Sequence, residues 1–197
     1  NGGTINSGKV TSYTYGTGAT LPTYVTKTGH TFSGWYASAD FSGSAVTSIS
    51  TTAMGVKTYY AKWTPNTYTI TFDAQGGTTT LNSLSVIYGS NQNNKLDTNL
   101  NPTKVGYTFG GWFDAPTGGN QVYKRTNGSC MKGAYWTNPW DVSGTGATWQ
   151  YTNNVTLYAH WTPNTYTVNF NANGGTINSG KVTSYTYGTG ATLPTYV

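Results

Sequence analysis

The sequence predicts a mainly β protein, built from small modules in tandem and containing little helix. Three observations predict this class: long internal repeats, segments in which apolar and polar residues alternate, and a composition that suits pleated sheets. Thr, Gly, Asn, Ser and Tyr are abundant, whereas charged residues make up only 8% of the 197 residues. β-Branched and aromatic side chains favour strands, and strong helix formers are scarce here.

The longest repeat joins the two ends of the sequence. Residues 1–25 read NGGTINSGKVTSYTYGTGATLPTYV, and residues 173–197 repeat them letter for letter at an offset of 173 − 1 = 172. The sequence therefore covers one period of a tandem array and the start of the next. Each unit of such an array contacts its neighbours, so the pattern favours a spacer, a stalk or a multivalent binder over a catalyst.

A weaker repeat lies within the long period. The motif WTPNTYT begins at Trp63 and again at Trp161, and GHTFSGWY at Gly29 is echoed by GYTFGGWF at Gly106. Anchored on the Gly-Gly pairs, the spacings are 76 − 2 = 74 and 174 − 76 = 98 residues. The second module is therefore 98 − 74 = 24 residues longer than the first.

We predict three modules, with boundaries at Thr64-Pro65 and Thr162-Pro163. They are residues 1–64, which lack a first strand, residues 65–163, which form a complete module with an insertion at about 118–148, and residues 164–197, which start the next module. Proline fixes φ, so the connection Thr162-Pro163-Asn164 is predicted to be short and stiff.

The complete module shows its elements in order. Tyr68, Ile70 and Phe72 alternate with Thr, which predicts a strand with these three side chains on one face. Asp73–Gly77 supplies a turn in which the two glycines permit positive φ. Residues 84–88 are predicted to form the second strand.

The second half of this module contains two further predicted strands. Residues 96–101 are predicted to form a loop or a single helical turn before Pro102, and residues 107–113 form a short strand. Residues 155–161 form the last strand, with Leu157 and Ala159 on one face.

Three separated blocks carry a family resemblance. They are Y-T-[IV]-x-F-[DN]-A-x-G-G-T, then G-[YH]-T-F-x-G-W-[YF], then a block that ends in Ala-Lys/His-Trp-Thr, and they recur in this order. The sequence resembles the Listeria–Bacteroides repeat, or InlB B-repeat, family of bacterial surface proteins. The resemblance implies β-grasp-like modules in tandem arrays on extracellular, wall-attached or secreted proteins, where they serve as adhesin or invasin stalks. It implies no catalytic residues.

Charge and cysteine content restrict the partners and the compartment. The formal charge of +5 arises from a shortage of acids, and the ten Lys and Arg residues form no basic stripe, so no nucleic-acid partner is expected. No apolar run approaches the about 20 residues of a membrane-spanning helix, so no membrane insertion is expected. A single Cys excludes an internal disulfide framework. We expect an extracellular or bacterial cell-surface location.

The expected partners are neighbouring repeats of the same chain or of like chains, with a host or cell-surface protein or a glycan as a further partner. The candidate partner-binding residues lie in the insertion and combine a cation with aromatic rings: Arg125, Tyr135, Trp136 and Trp140. The alternative is that the insertion is a layer whose Trp residues pack over the sheet. A carbohydrate-binding module that uses this insertion is the alternative function. Cys130 is either a small buried residue or an exposed thiol.

Catalytic and metal sites are not expected. His30 aligns with Tyr107 and His160 aligns with Lys62, and positions that accept such replacements are not metal ligands. Five scattered Asp residues give no general acid–base constellation, so neither an enzyme nor a cofactor is predicted. Four Trp residues at matching module positions are predicted to be core residues: Trp35, Trp63, Trp112 and Trp161.

The incomplete first module leaves two alternatives open. The sequence is a window on a longer covalent array, or the strand at Tyr166–Phe170 of a neighbouring chain completes the first module by strand addition. The second alternative would give head-to-tail filaments, because such a contact does not close.

Overall fold

Every regular element in the described residues is a β-strand, which confirms the mainly β prediction. The computed structural model describes residues 2–90, 100–126, 129–132 and 148–194. The chain divides into two units, which are described separately. Unit 1 contains residues 1–68, 85–90 and 148–153, and unit 2 contains residues 69–84, 91–147 and 154–197. Within the described residues no helix is long and apolar enough to cross a membrane.

The strands follow the order of the sequence repeats. Those of the first predicted module are β1 (Thr4–Ile5), β2 (Ala19–Thr20), β3 (Val25–Thr26), β4 (His30–Tyr36), β5 (Ser48–Ile49) and β6 (Tyr60–Pro65). Those of the second are β7 (Thr67–Asp73), β8 (Ser83–Ile87), β9 (Tyr107–Phe113), β10 (Gln121–Thr126), β11 (Ser129–Lys132) and β12 (Val155–Pro163). The third contains β13 (Thr165–Thr167) and β14 (Ser184–Thr186).

Unit 1 is built from small antiparallel sheets. β1 pairs with β3, β2 pairs with β5, and β4 pairs with β6. Leu21, Val25 and Ile49 are its buried aliphatic residues near these strands. The indole N–H of Trp35 donates a hydrogen bond to the carbonyl oxygen of Pro22 at 2.7 Å. This bond satisfies the polar atom of a large ring that is otherwise apolar.

The largest sheet, most of which belongs to unit 2, has the strand order β11-β10-β9-β12-β7-β8. β12 is parallel to β7 and antiparallel to β9. Ile70 and Phe72 on β7 are buried, as the alternation predicts, and the Phe72 ring packs on the fully buried ring of Trp112 with centroids 4.8 Å apart. Leu157 and Ala159 on β12 are also buried, which confirms the predicted face of that strand.

The two repeats of the GxTFxGW motif fold in the same way. β4–β6 and β9–β12 have the same antiparallel register, and in each pair of strands the register shifts at the equivalent position. Lys62 lies opposite Gly34 in one hairpin-like pair, and His160 lies opposite Gly111 in the other. The sequence repeat is therefore a structural repeat at the level of strand pairing.

Two local expectations need correction. The connection predicted at residues 162–164 is a single residue, because β12 continues through Pro163 and β13 begins at Thr165. In the turn after β7, positive φ occurs at Gln75 (49°) and Gly76 (78°) and not at Gly77. Gly77 is needed for space instead, since a Cβ there would overlap the Trp161 ring.

The first part of the predicted insertion extends the sheet. β10 pairs with both β9 and β11, and Val122 and Tyr123 on β10 are buried. These strands are a feature that sequence analysis did not predict. Trp149, just beyond the insertion, is also fully buried.

The four matched Trp residues differ in burial. Trp112 is fully buried, which confirms its predicted place in the core. Trp35, Trp63 and Trp161 are only half-buried, so the core prediction was too strong for them. The Trp63 ring lies against Gly3, and the Trp161 ring lies against Gly77. The predicted domain boundaries remain a prediction.

Candidate functional site, the joint between repeats

The strongest candidate for a functional feature is the point at which one sequence repeat passes into the next. β6 ends at Pro65 and β7 begins at Thr67, so Asn66 alone connects them. The Asn66 backbone N–H donates to the carbonyl oxygen of Gly29 at 2.9 Å. The Asn66 carbonyl oxygen accepts from the backbone N–H of Tyr88 at 2.9 Å. The connecting residue is therefore bonded to the chain on both sides.

The side chain of Asn66 is also bonded at both ends. Its Oδ1 accepts a hydrogen bond from Thr31 Oγ1 at 2.6 Å, and its Nδ2 donates to the Tyr68 hydroxyl at 3.3 Å. The backbone N–H, the backbone carbonyl, Oδ1 and Nδ2 of Asn66 therefore each have a hydrogen-bond partner. Asparagine suits this position because its short amide carries a donor and an acceptor close to the backbone.

The second joint repeats this arrangement atom for atom. The Asn164 N–H donates to the Gly106 carbonyl at 2.8 Å, and the Asn164 carbonyl accepts from the Tyr187 N–H at 2.8 Å. Asn164 Oδ1 accepts from Thr108 Oγ1 at 2.6 Å, and its Nδ2 lies 3.4 Å from the Tyr166 hydroxyl. The first joint lies within unit 1 and the second lies within unit 2.

A tyrosine ring covers a glycine at each joint. Gly29 has a φ of +67° and Gly106 a φ of +78°, a region that L residues rarely adopt. A Cβ at Gly29 would overlap the Tyr88 ring, and one at Gly106 would overlap the Tyr187 ring. Glycine is therefore required twice over, by the backbone conformation and by the close approach of the ring.

A second ring completes each joint. His30 packs edge-on against Tyr88 with ring centroids 5.5 Å apart, and Tyr107 packs in the same way against Tyr187 at 5.4 Å. This geometry explains why His and Tyr alternate at one motif position, since both supply a flat ring. We call the Gly, Asn and Tyr residues of each joint the repeat joint: Gly29, Asn66 and Tyr88, and Gly106, Asn164 and Tyr187.

Sequence analysis missed the two joint tyrosines, although a signal for them was present. The dipeptide Tyr-Gly occurs at Tyr15, Tyr88 and Tyr187, once in each predicted module. Gly89 and Gly188 both have positive φ, as a turn after the ring requires. Tyr15, which has no such glycine against it among the described residues, is 66% exposed.

Lys62 and His160, which occupy matching positions in the two modules, each lie over an aromatic ring. Lys62 Nζ is 5.1 Å from the centre of the Tyr36 ring, whereas His160, at the matching position, stacks on Phe113 at 3.9 Å. His160 Nε2 is also 2.9 Å from the carbonyl oxygen of Ala115. Both residues therefore form a cross-strand pair with an aromatic neighbour on the sheet surface.

No metal-ligating cluster occurs in the part of the chain that the structure describes: no three residues among His, Cys, Asp and Glu group there. The pKa of Asp40 is lowered to about 2, chiefly because the Ser38 hydroxyl donates to its carboxylate, with further donation from Ser42. This carboxylate lies in an exposed turn, and its role there is structural.

Three of the four predicted partner-binding residues lie outside the described residues: Tyr135, Trp136 and Trp140. Arg125 lies on β10, where its backbone is opposite that of Cys130 on β11. Partner binding by these four residues therefore stays a prediction, and so do the two alternatives for Cys130.

Repeats whose described elements are β-strands, connected through the same residue types at two joints, define a tandem-repeat protein. The model of the Listeria–Bacteroides repeat domain matches residues 1–62, 68–135 and 166–197. The chain belongs to the Listeria–Bacteroides repeat family, which confirms the resemblance drawn from the sequence motifs.

Several curated proteins are similar to the chain. It is 38% identical over 161 residues to Internalin H of Listeria monocytogenes, which covers 80% of the chain and 24% of that protein. It is 31% identical over 151 residues to a protein of Evansella cellulosilytica that is named provisionally as a Gly-rich membrane protein, covering 76% of the chain and 14% of that protein. The chain thus spans a quarter or less of these relatives. No solved structure matches it.

Proposed function

We propose that this chain is a spacer segment of a large bacterial cell-surface or extracellular protein, acting as an adhesin-type stalk. The observation that carries the proposal is the repeat joint, which uses the same residue types and hydrogen bonds twice. Because the connecting Asn is bonded to the chain on both sides, each joint resists local rearrangement. A spacer needs this property, since a loose connection would not hold a partner at a set distance.

The relatives support the proposed location. One is named an internalin and another a membrane protein, and the family is built from repeats. The low charge and the abundance of Thr, Asn and Gly agree with an extracellular repeat. We therefore propose an extracellular or cell-surface location and a role without catalysis.

The strand order agrees with the β-grasp-like module that the family resemblance implies. β7, the first strand of the second module, is parallel to β12, its last strand, and the two lie side by side. β8 and β9 flank them. We propose that this four-strand pattern is the common design of the modules.

The insertion is the proposed contact with a partner outside the array. Arg125, Tyr135, Trp136 and Trp140 combine aromatic surface with a positive charge, as protein and glycan contacts often do. In this proposal the insertions make weak contacts that repetition strengthens.

The experiment that tests the spacer role changes the number of repeats in the full-length protein on a bacterial surface. One strain lacks a single 172-residue period, and a second carries the full array with Trp136→Ala and Trp140→Ala. The proposal predicts that the deletion shortens the distance from the membrane to a distal epitope without changing the affinity of the distal region for its partner. An unchanged distance would contradict it.

A further inference from the structure

The first and last strands of the second module lie side by side and run in the same direction. β7 follows the joint residue Asn66, and β12 precedes the joint residue Asn164. The two strands pair in parallel, residues 70–73 with residues 155–158. Because the second module is connected to its neighbours through the start of β7 and the end of β12, tension along the array enters and leaves it at these two strands.

Tension on two parallel neighbouring strands acts as a shear. The start of β7 and the end of β12 lie at opposite ends of the pair, since the strands run in the same direction. Pulling on these two ends slides one strand along the other, so the hydrogen bonds between the strands carry the load together and break together. Pulling on two strand ends that lie side by side breaks the bonds one after another instead. A shared load therefore requires the larger force.

The backbone of β7 directs alternate N–H groups to its two neighbouring strands. The Phe72 N–H donates to the carbonyl oxygen of Asn82 at 2.8 Å, on the β8 side of the strand. Successive N–H groups point to opposite edges of a strand, so those of Thr69 and Thr71 point toward β12. The Thr69 N–H accordingly donates to Asn154 Oδ1, just before β12, at 2.9 Å. This bond fastens β7 at the end where tension enters.

β12 is held on its other edge as well. It pairs with β9 through residues 158–163, the half of the strand that is nearest to the exit of tension. β12 can therefore slide only by breaking pairs on both of its edges. Three side chains of the β7–β12 pair are buried: Ile70, Phe72 and Leu157. They keep water, which would compete for the hydrogen bonds, away from one face of the pair.

The insertion lies outside this path of force. β10 and β11 extend the sheet beyond β9, in the order β11-β10-β9-β12-β7-β8. The direct pairing of β7 with β12 leaves the chain between residues 73 and 155 unloaded until the pair breaks. The 24 residues that distinguish the second module from the first are therefore accommodated without lengthening the path of force.

We propose that the second module bears tension along the array and that the β7–β12 pair is the mechanical clamp that keeps it folded under load. This load-bearing role rests on the proposed spacer function, because an array is stretched only when it is held at both ends. It also goes beyond that function. A spacer sets a distance, whereas a clamp preserves that distance while the two ends are pulled apart.

Single-molecule force spectroscopy on the full chain, with handles attached through cysteines, tests the proposal. Cys130→Ser removes the native thiol. Thr69→Cys with Thr162→Cys loads the start of β7 against the end of β12, which is the shear direction. Thr69→Cys with Thr156→Cys loads the starts of both strands, which peels them apart. All three threonines are exposed, and the pairs span similar lengths of chain, 162 − 69 = 93 and 156 − 69 = 87 residues.

The two pairs of handles thus differ chiefly in the direction of the force. At the same loading rate we expect the unfolding force in shear to be at least about twice that in peeling, because the bonds of a parallel ladder then break together. An unfolding force in shear that is no higher than that in peeling would overturn the clamp. That result would leave the spacer function standing, since the distance to a distal epitope tests it separately.

Two further variants, each combined with the shear handles, locate the resistance. Asn154→Ala removes the acceptor of the Thr69 N–H and should raise the rate of unfolding under load by about threefold to tenfold. Asp114→Ala removes the acceptor of the Asn120 N–H in the turn before β10. It should change that rate by less than about twofold, because this turn remains formed when the clamp breaks. Equal acceleration by the two variants would overturn the assignment of the clamp to β7 and β12.

Discussion

The backbone N–H of Asn66 lies 2.9 Å from the carbonyl oxygen of Gly29, and the equivalent bond from Asn164 to Gly106 is 2.8 Å. In each pair the partners are separated by tens of residues in the sequence, since 66 − 29 = 37 and 164 − 106 = 58. The insertion lengthens the second interval without altering the bond. The joint is therefore maintained independently of the loop that lies between its residues.

The first prediction concerns the glycine under the tyrosine ring. Gly29→Ala is expected to lower the free energy of unfolding of unit 1 by about 3 kcal/mol, because the new Cβ meets an unfavourable φ and overlaps the Tyr88 ring. Gly43 also has a positive φ, of 81°, but no atom lies near its added Cβ. Gly43→Ala should therefore cost only about 1 kcal/mol.

Urea denaturation of the two variants distinguishes these contributions, because the shift in midpoint reports the change in stability. Equal losses for Gly29→Ala and Gly43→Ala would mean that the Tyr88 ring does not lie over Gly29 in solution.

The second prediction concerns the side chain of Asn66. Asn66→Ala should lower the free energy of unfolding by about 1–3 kcal/mol, since it removes the acceptor of the Thr31 hydroxyl. A double-mutant cycle with Thr31→Val should give a coupling energy of about 1 kcal/mol. Asn6, whose exposed side chain donates a hydrogen bond to Thr26, provides the control, and Asn6→Ala should cost less than about 0.5 kcal/mol. Additive effects of Asn66→Ala and Thr31→Val would contradict the bond.

The third prediction compares the two matched indoles. Trp161→Phe removes the hydrogen bond to Ala74, whereas Trp63→Phe removes an N–H that has no partner among the described residues. Both changes reduce the contact with a glycine. Trp161→Phe should therefore be the more destabilising of the two by about 1 kcal/mol, as measured by urea denaturation. A larger loss for Trp63→Phe would show that its N–H has found an acceptor.

Sequence patterns identified the strands of the second module well. The alternation at residues 68–72 and 155–161 corresponds to β7 and β12, because alternating burial is what a strand in a one-sided core requires. The loop at 96–101 cannot be compared, since residues 91–99 lie outside the described residues.

The repeat joint could not be predicted in the same way. A bond between Asn66 and Gly29 depends on the tertiary path of the chain, and no local pattern encodes it. The recurrence of the Tyr-Gly dipeptide marked the ring position, but nothing in the sequence identified the glycine beneath it.

The fourth prediction concerns the pH dependence of the turn after β4. The pKa of Asp40 is lowered to about 2, so its ionised form is favoured in the folded chain relative to an ordinary Asp of about 3.9. Its contribution to stability is present above pH 4 and is lost as the pH falls through about 2. An NMR titration of the carboxyl carbon should show this pKa, and Ser38→Ala should raise it. A value near 3.9 in the unmodified chain would contradict the turn geometry.

The fifth prediction concerns the insertion. Trp136→Ala combined with Trp140→Ala should reduce adhesion of the full-length protein to its partner cells or glycans while circular dichroism and thermal unfolding stay unchanged. Loss of the fold in this variant would instead show that the two rings stabilise the module. A matched variant at the exposed aromatic residue Tyr24 should alter neither property.

Consecutive repeats are connected through the same hydrogen-bonded joint, and native-state amide hydrogen exchange tests this central claim most directly. The amides to follow are those of Asn66, Tyr88, Asn164 and Tyr187, each of which donates across a joint. The account predicts that all four exchange slowly and that the two joints are protected to a similar degree. Exchange of these amides at the rate of an unstructured peptide would contradict it.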